Sequence, residues 1–182
     1  NDLRNPAAEA QRPFVDSDQD SGKEQEQLLA QLESRSQGRP DFPERPQTNG
    51  LLRSFYDTSS LDALKARTPE QLIDIALRQW AWAQPRVAGE LKLRVLPPAE
   101  GGSLLAAVET CVDDMPFLVD TVGIAIREAG VSIDWGVHPI LPLVRDASGR
   151  IQSIGASADS QLESWIHMEF EPLPNAQAYA GL

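Results

Sequence analysis

Asp113 and Asp114 stand side by side where a strand-patterned run meets a helix-patterned one, in "VETCVDDMPFLVDTVGIAIREAG", residues 108–130. Adjacent carboxylates at such a junction support three kinds of chemistry. One of them can cap the following helix, accepting N–H bonds from its first turn and meeting the positive end of its dipole. Pro116 suits that first turn, because the N–H it lacks would have been unpaired there anyway. The pair can also join His138 and His167, the two histidines of the chain, around a metal ion. Their spacing matches no ligand signature such as HxxxH or HxH, and both fall on strand-patterned runs, which reads as structural. Third, the acids can form an acid–base dyad, which needs an environment that splits their pKa values. The one cysteine, Cys111, has no histidine beside it and reads as a buried small hydrophobe. No GxSxG, P-loop, GxGxxG or CxxC pattern occurs, so the chain taken alone reads as non-catalytic.

The elements that must hold these acids follow from the flanking patterns. "TPEQLIDIALRQWAWAQPR" reads as a helix: Thr68 and Gln71 have capping-box spacing, Pro69 takes the first helical position and Pro85 closes the segment. Leu72, Ile73, Ala76, Leu77 and Trp80 form its apolar stripe, and Trp80 and Trp82 read as packing residues. A short helix is expected from Ser60. "ELKLRVLPP" alternates Leu91, Leu93 and Val95 inward against Lys92 and Arg94, and "SLLAAVETCV" returns as a second strand after "AEGG", so 90–112 reads as a hairpin. Residues 115–129 read as a helix with Leu118, Val122, Ala125, Ile126 and Ala129 on one face, ended by Gly130. "VSIDWGVHPILPLVRD" is a strand interrupted at Pro139 and Pro142, "IQSIGA" a brief return, and "ESWIHMEFEP" the last strand. Strand, helix, strand, strand is most of the split βαβ pattern. The fold class is therefore α+β, a ferredoxin-like antiparallel sheet with helices on one face.

Three segments are expected. Residues 1–50, polar and rich in Pro, Gln and Asp, read as a disordered or weakly ordered tail, with one short marginal helix around Leu28, Leu29 and Leu32. Residues 51–88 form a helical segment, and 89–182 the α+β domain. Lys and Arg number 16 against 27 Asp and Glu, a formal net charge of −11, and the basic residues are scattered. Such a field repels nucleic acid and anionic membranes, so neither is an expected partner. No run approaches transmembrane length and the N-terminus lacks a signal pattern, so the expected location is the cytoplasm. The chain starts without Met, as an excised piece of a longer protein would.

"DDMPFLVDTV" resembles the strand-to-helix turn of ACT domains, which commonly reads Asp-x-Pro-Gly-Leu. Asp114, Pro116 and Leu118 match it, and Phe117 replaces the usual Gly. "VDDMPFLVDTV", "HPILPLVRDASGRI" and "ESWIHMEFE", in that order and spacing, are similar to the N-terminal region of the large bacterial NAD-specific glutamate dehydrogenases. The likeness extends over about residues 51–175. It implies an ACT-like domain, C-terminally incomplete, in a parent enzyme that converts L-glutamate to 2-oxoglutarate and ammonia. NAD would be bound by the parent and no cofactor by this piece. It also implies a regulatory and assembly role, with other domains of the parent or a second copy as partners. By motif position, an amino-acid effector would lie against Asp113, Asp114, Met115, Pro116, Phe117 and Leu118. The open alternative is an interaction or oligomerisation module with no small-molecule ligand. Mapping the ACT order onto the chain leaves the edge beside the first strand vacant, and the hairpin predicts that residues 90–96 fill it.

Overall fold

The structure, a computed structural model, describes residues 17–40, 50–98, 104–175 and 178–179. Four helices come first: α1 (Ser17–Ser36), α2 (Leu51–Tyr56), α3 (Leu61–Lys65) and α4 (Pro69–Trp82). Then follow β1 (Lys92–Leu96), β2 (Ala106–Asp113), α5 (Leu118–Glu128), β3 (Ile133–Val137), β4 (Ile140–Arg145), β5 (Ile151–Ile154) and β6 (Gln161–Phe170). Helix α4 begins with the expected capping box. The Gln71 N–H donates to Thr68 Oγ1 at 3.2 Å, and the Thr68 N–H donates to Gln71 Oε1 at 2.8 Å. Ser60 caps α3 by accepting the Ala63 N–H.

All strand pairings are antiparallel. Strand β6 is central, with β2 on one side and β3 and β4 end to end on the other; β1 flanks β2 and β5 flanks β4. Strands β2 and β3 therefore run parallel to each other with β6 between them and α5 as the crossover, which is the split βαβ arrangement. The register Lys92↔Cys111 to Leu96↔Ala107 puts residues 92–96 on the free edge of β2, in the slot left open by the ACT order.

The two faces of the sheet are covered by different parts of the chain. Ala106, Val108, Ile166, Met168 and Phe170 pack under α5, against Leu118, Val119, Val122 and Ile126. On the other face, Cys111, Leu141 and Trp165 join Leu29, Leu32, Leu51, Phe55, Leu72 and Trp80 of α1, α2 and α4 in one core. Gln79 of α4 adds two N–H donations at 3.0 Å, to the carbonyls of Thr110 and Ile166. Strand β6 is in consequence buried on both faces from Glu163 to Phe170. The helical segment and the sheet share this core, with no break in packing at residue 88.

Three expectations are corrected. Residues 17–36 form a 20-residue helix, where a weakly ordered tail was expected, because Leu29 and Leu32 are buried against α2 and α4. Residues 1–16 and 41–49 of that tail lie outside the described residues. Along β1, Val95 packs against the core under α5 as expected, but Leu91 and Leu93 are 58% and 51% exposed. Lys92 instead donates to the carbonyls of Trp82 and Pro85, and the Arg94 guanidinium lies 4.5 Å over the Trp82 ring. The face of β1 that meets α4 is thus its cationic one. Finally, α5 turns Val119 and Gly123 toward the sheet and leaves Ala129 exposed.

Candidate ligand site at the end of the central strands

Strand β2 ends at Asp113, and the alternation of the strand sends its side chain to the α4 face. There it accepts from the Arg86 guanidinium and, at 2.8 Å, from the Gly89 N–H. These donors, Arg86 first, hold the Asp113 carboxyl below the usual range against the opposing effect of burial. Asp114, Met115, Pro116 and Phe117 are exposed and Leu118 is half-buried. The Asp114 N–H donates to the Leu162 carbonyl at 2.9 Å, tying the turn to the start of β6.

Neither aspartate caps α5, contrary to the capping reading. The N-cap residue is Phe117, in the left-handed region at φ 67°, and no side chain accepts from the first turn. Pro116 accordingly precedes the helix. Phe117 stands where the ACT pattern has Gly, and its positive φ is the backbone reason that pattern favours Gly there. The Phe117 carbonyl accepts from both the N–H and the Oγ1–H of Thr121, and its ring is 76% exposed. The six predicted residues are therefore contiguous at one end of the sheet but split across it. Asp113 belongs to the α4 face, and the others form an exposed turn at an uncapped helix start.

Behind Asp113 lies a buried ionic wall that local patterns did not reveal. Glu163 of β6 accepts from Arg145 Nε at 2.6 Å and Nη2 at 2.8 Å, from Trp165 Nε1 at 3.1 Å and from the Cys111 thiol at 3.3 Å. Arg86 Nη2 pairs with it at 2.9 Å. Burial alone would raise the Glu163 pKa; Arg145, Arg86 and Trp165 outweigh burial and bring it down to about 2. Burial and the Glu163 carboxylate push the Cys111 thiol well up, leaving it un-ionised at neutral pH.

A second buried cluster crosses β2 and β6. His167 Nδ1 meets Glu109 Oε1 at 2.9 Å and its Nε2 meets Glu169 Oε1 at 3.4 Å. Glu109 also pairs with Arg78 and Arg94, and Glu169 with Arg67. Burial opposes the imidazolium, but the two glutamates more than offset it, so the His167 pKa is raised. Glu109 is held at about 2: burial pushes it up, and His167, Arg78 and Arg94 pull it down further. His138 sits apart, half-buried beside the Ser164 hydroxyl, and burial lowers its pKa. The two histidines do not converge. Among the described residues, no group of three or more His, Cys, Asp and Glu side chains is placed to hold a metal ion.

Apart from the neighbours two residues apart on β6, the partners in these clusters are separated by 15 to 102 residues, so no local spacing announces them. One signal was available. Glu163, Trp165, His167 and Glu169 share a face of β6, and a polar stripe on a strand between two helical layers requires buried arginines opposite.

Known proteins give a consistent picture. The family model described as glutamate dehydrogenase, ACT1 domain, matches residues 51–182. An NAD-specific glutamate dehydrogenase of Halomonas elongata is 28% identical over 152 residues, covering 79% of this chain and 9% of the relative. The Pseudomonas aeruginosa protein of the same name is 28% identical over 139 residues, covering 72% of this chain and 9% of its own length. The chain thus spans about a tenth of the curated relatives it matches. No solved structure matches it. With the family match running from α2 to the last described residues, across the whole split βαβ sheet, the chain belongs to the glutamate dehydrogenase ACT1 domain family.

Proposed function

We propose that this chain is a regulatory and assembly region of an NAD-specific glutamate dehydrogenase and has no catalytic part in its reaction. The whole enzyme would oxidise L-glutamate to 2-oxoglutarate and ammonia, with NAD bound outside this region. A free amino acid would act as effector at residues 113–118. The observation that carries the binding role is the start of α5, where the N–H groups of the first turn have no side-chain cap and open on an exposed loop. Such donors suit an α-carboxylate, and the neighbouring Asp114 suits an ammonium. The buried acids support a non-catalytic reading, because Glu109, Glu163 and Glu169 are each committed to arginines. A thermal-shift screen of the twenty amino acids tests the proposal. A ligand of the native state at a hundred times its Kd adds about 2.7 kcal/mol of stability. The shift should shrink in Asp114→Asn, and no shift with any amino acid would defeat the effector reading.

The interaction-module reading is favoured by a different observation. Leu93, Ile140 and Leu162 lie on the α5 face of the sheet, as their register shows, yet remain exposed beside α5. If that face packs on another domain or a second copy, Leu93→Lys will leave the fold intact and abolish an association seen by sedimentation.

A further inference from the structure

Among the described residues, Phe117 alone has a positive φ without being glycine, a conformation that costs an L side chain free energy. Packing of the side chain ordinarily offsets such a cost. Here it does not, because the ring is 76% exposed and belongs to neither core cluster. The internal bonds of the residue run from its carbonyl to Thr121, a backbone role that glycine would fill equally. The fold therefore gives no reason for a phenylalanine at this position.

The ring does not stand alone. Ile124, seven residues on and 52% exposed, lies on the side of α5 turned outward, since Val119, Val122 and Ile126 are turned to the sheet. Met115, 49% exposed, stands in the turn before them. Asp114, Asp120 and Glu128 flank these three apolar side chains, against a single cation, Arg127. All four charged residues are exposed, and none has an ion pair among the described residues. An apolar strip with an acidic border repels nucleic acid and anionic membranes. It also disfavours a second copy, which would bring the same acids face to face about a two-fold axis. What complements it is an apolar pocket bordered by lysine or arginine.

We propose that the outer side of α5 docks on another domain of the same enzyme, with the Phe117 ring as its anchor in an apolar pocket bordered by basic side chains. Aromatic residues are enriched at interface cores, and a few such anchors carry most of the binding energy. The inference rests on the reading of the chain as one region of a larger enzyme, and not on an amino-acid effector at the turn. Its surface is also distinct from that of Leu93, Ile140 and Leu162, which lie on the sheet beside α5.

The test has two arms. In the isolated chain, Phe117→Gly relieves the left-handed backbone and gives up no internal packing, so its melting temperature should rise by about 3 °C. A variant that melts at or below the unaltered chain shows that the ring already packs within it, and overturns the inference. In the full-length enzyme that contains the chain, p-benzoylphenylalanine placed at position 117 is irradiated and the crosslinked peptides are identified by mass spectrometry. The crosslink should fall outside residues 1–182 of the enzyme, at a site that carries apolar side chains and at least two of Lys or Arg. Asp120→Lys with Glu128→Lys should lower its yield fivefold or more. Crosslinks confined to residues 1–182, crosslinks to this region of a second copy, no crosslink to protein, or a yield indifferent to the two charge reversals each overturn the docking. Assaying the same enzyme for glutamate oxidation keeps the two readings apart: its absence defeats the reading of the larger enzyme, whereas the crosslink decides the docking.

Discussion

His167 is held between Glu109 and Glu169 with both ring nitrogens facing carboxylates, while Arg78, Arg94 and Arg67 approach the same acids from α4, β1 and the end of α3. Its pKa is raised in the folded chain. The stabilisation it contributes is therefore complete below its ordinary value of 6.5 and fades as pH rises through the folded value. Glu109 and Glu163 act in the other direction: their contribution is complete above 4.5 and is lost as pH falls toward 2. His138, lowered by burial, gives stability as pH rises through 6.5 and so opposes His167. Denaturant unfolding of the chain and of His167→Gln at pH 5.5 and pH 8.5 separates these contributions. The variant should be weaker by about 3 kcal/mol at pH 5.5, since removing one member of a buried charge cluster strands the others. The gap should narrow at pH 8.5; an equal gap at both values would rule out the imidazolium. Gly149 makes a sharper claim at the same scale. It has φ 78°, and a Cβ there would sit 2.5 Å from the Arg86 carbonyl oxygen, whose own N–H donates to the Gly149 carbonyl at 3.0 Å. Gly149→Ala therefore meets both a disfavoured backbone conformation and a rigid neighbour, and should cost about 3 kcal/mol in chemical denaturation. A loss below half that would mean that the loop carrying Arg86 yields.

Helix α5 shows the reverse case. Gly123 faces the sheet in mid-helix, and an added Cβ would approach Arg127 Nη1 at 3.3 Å and Ile133 Cδ1 at 3.6 Å. The closer neighbour is the far end of a flexible, exposed side chain, so it can move. Gly123→Ala should then stabilise the chain by about 1 kcal/mol, the helix-propensity difference, visible as a raised melting temperature; a lowered one would mean that Ile133 cannot yield. This helix also marks the limit of what could be read from residue order. The capping box of α4, the β1–β2 hairpin, the break at Pro139 and the β4–β5 return all depend on neighbours within a few residues, and each was legible. The start of α5 was not, because two acids, a Met and a Pro before Phe117 resemble a capped helix. Only the register of β2 against β6 shows that Asp113 leaves the turn for Arg86. The exposure of Leu91 and Leu93 has the same origin. Alternation gives the period of a strand, but how far each face is covered depends on its neighbours, and here α4 offers carbonyls and the Trp82 ring to Lys92 and Arg94. The six residues expected at a ligand, 113–118, are contiguous at one end of the sheet, whereas the ionic wall beside Asp113 was not legible, because its members meet only in the folded chain.

For the molecule as a whole, the decisive feature is that the central strands are buried on both faces, so the helical layer is part of the core. The family match begins at residue 51, and Leu51, Leu52 and Phe55, at the start of the matched region, are fully buried in the core that includes Leu29 and Leu32 of α1. The ion pairs Arg35–Glu70, Arg53–Glu26, Arg53–Glu33 and Lys65–Glu24 also link α1 to later helices, but their side chains are all partly or well exposed. Exposed pairs contribute little each, so the attachment of α1 must come from its two buried leucines. Leu32, with 0% exposure, is the sharper probe. Leu32→Ala should cost about 3 kcal/mol, as expected for a buried leucine leaving a cavity, whereas Arg35→Ala and Lys65→Ala together should cost less than about 1 kcal/mol. A chain beginning at Gly50 carries the same uncovered apolar surface to its limit. It should melt at a lower temperature than the full chain and bind a hydrophobic dye, and a separate peptide of residues 17–40 should restore part of the lost stability in a concentration-dependent way. If the chain beginning at Gly50 melts with the full chain and the Leu32→Ala cost is below that of the charge substitutions, α1 is not part of the core, and the ACT1 region would stand on its own from residue 51.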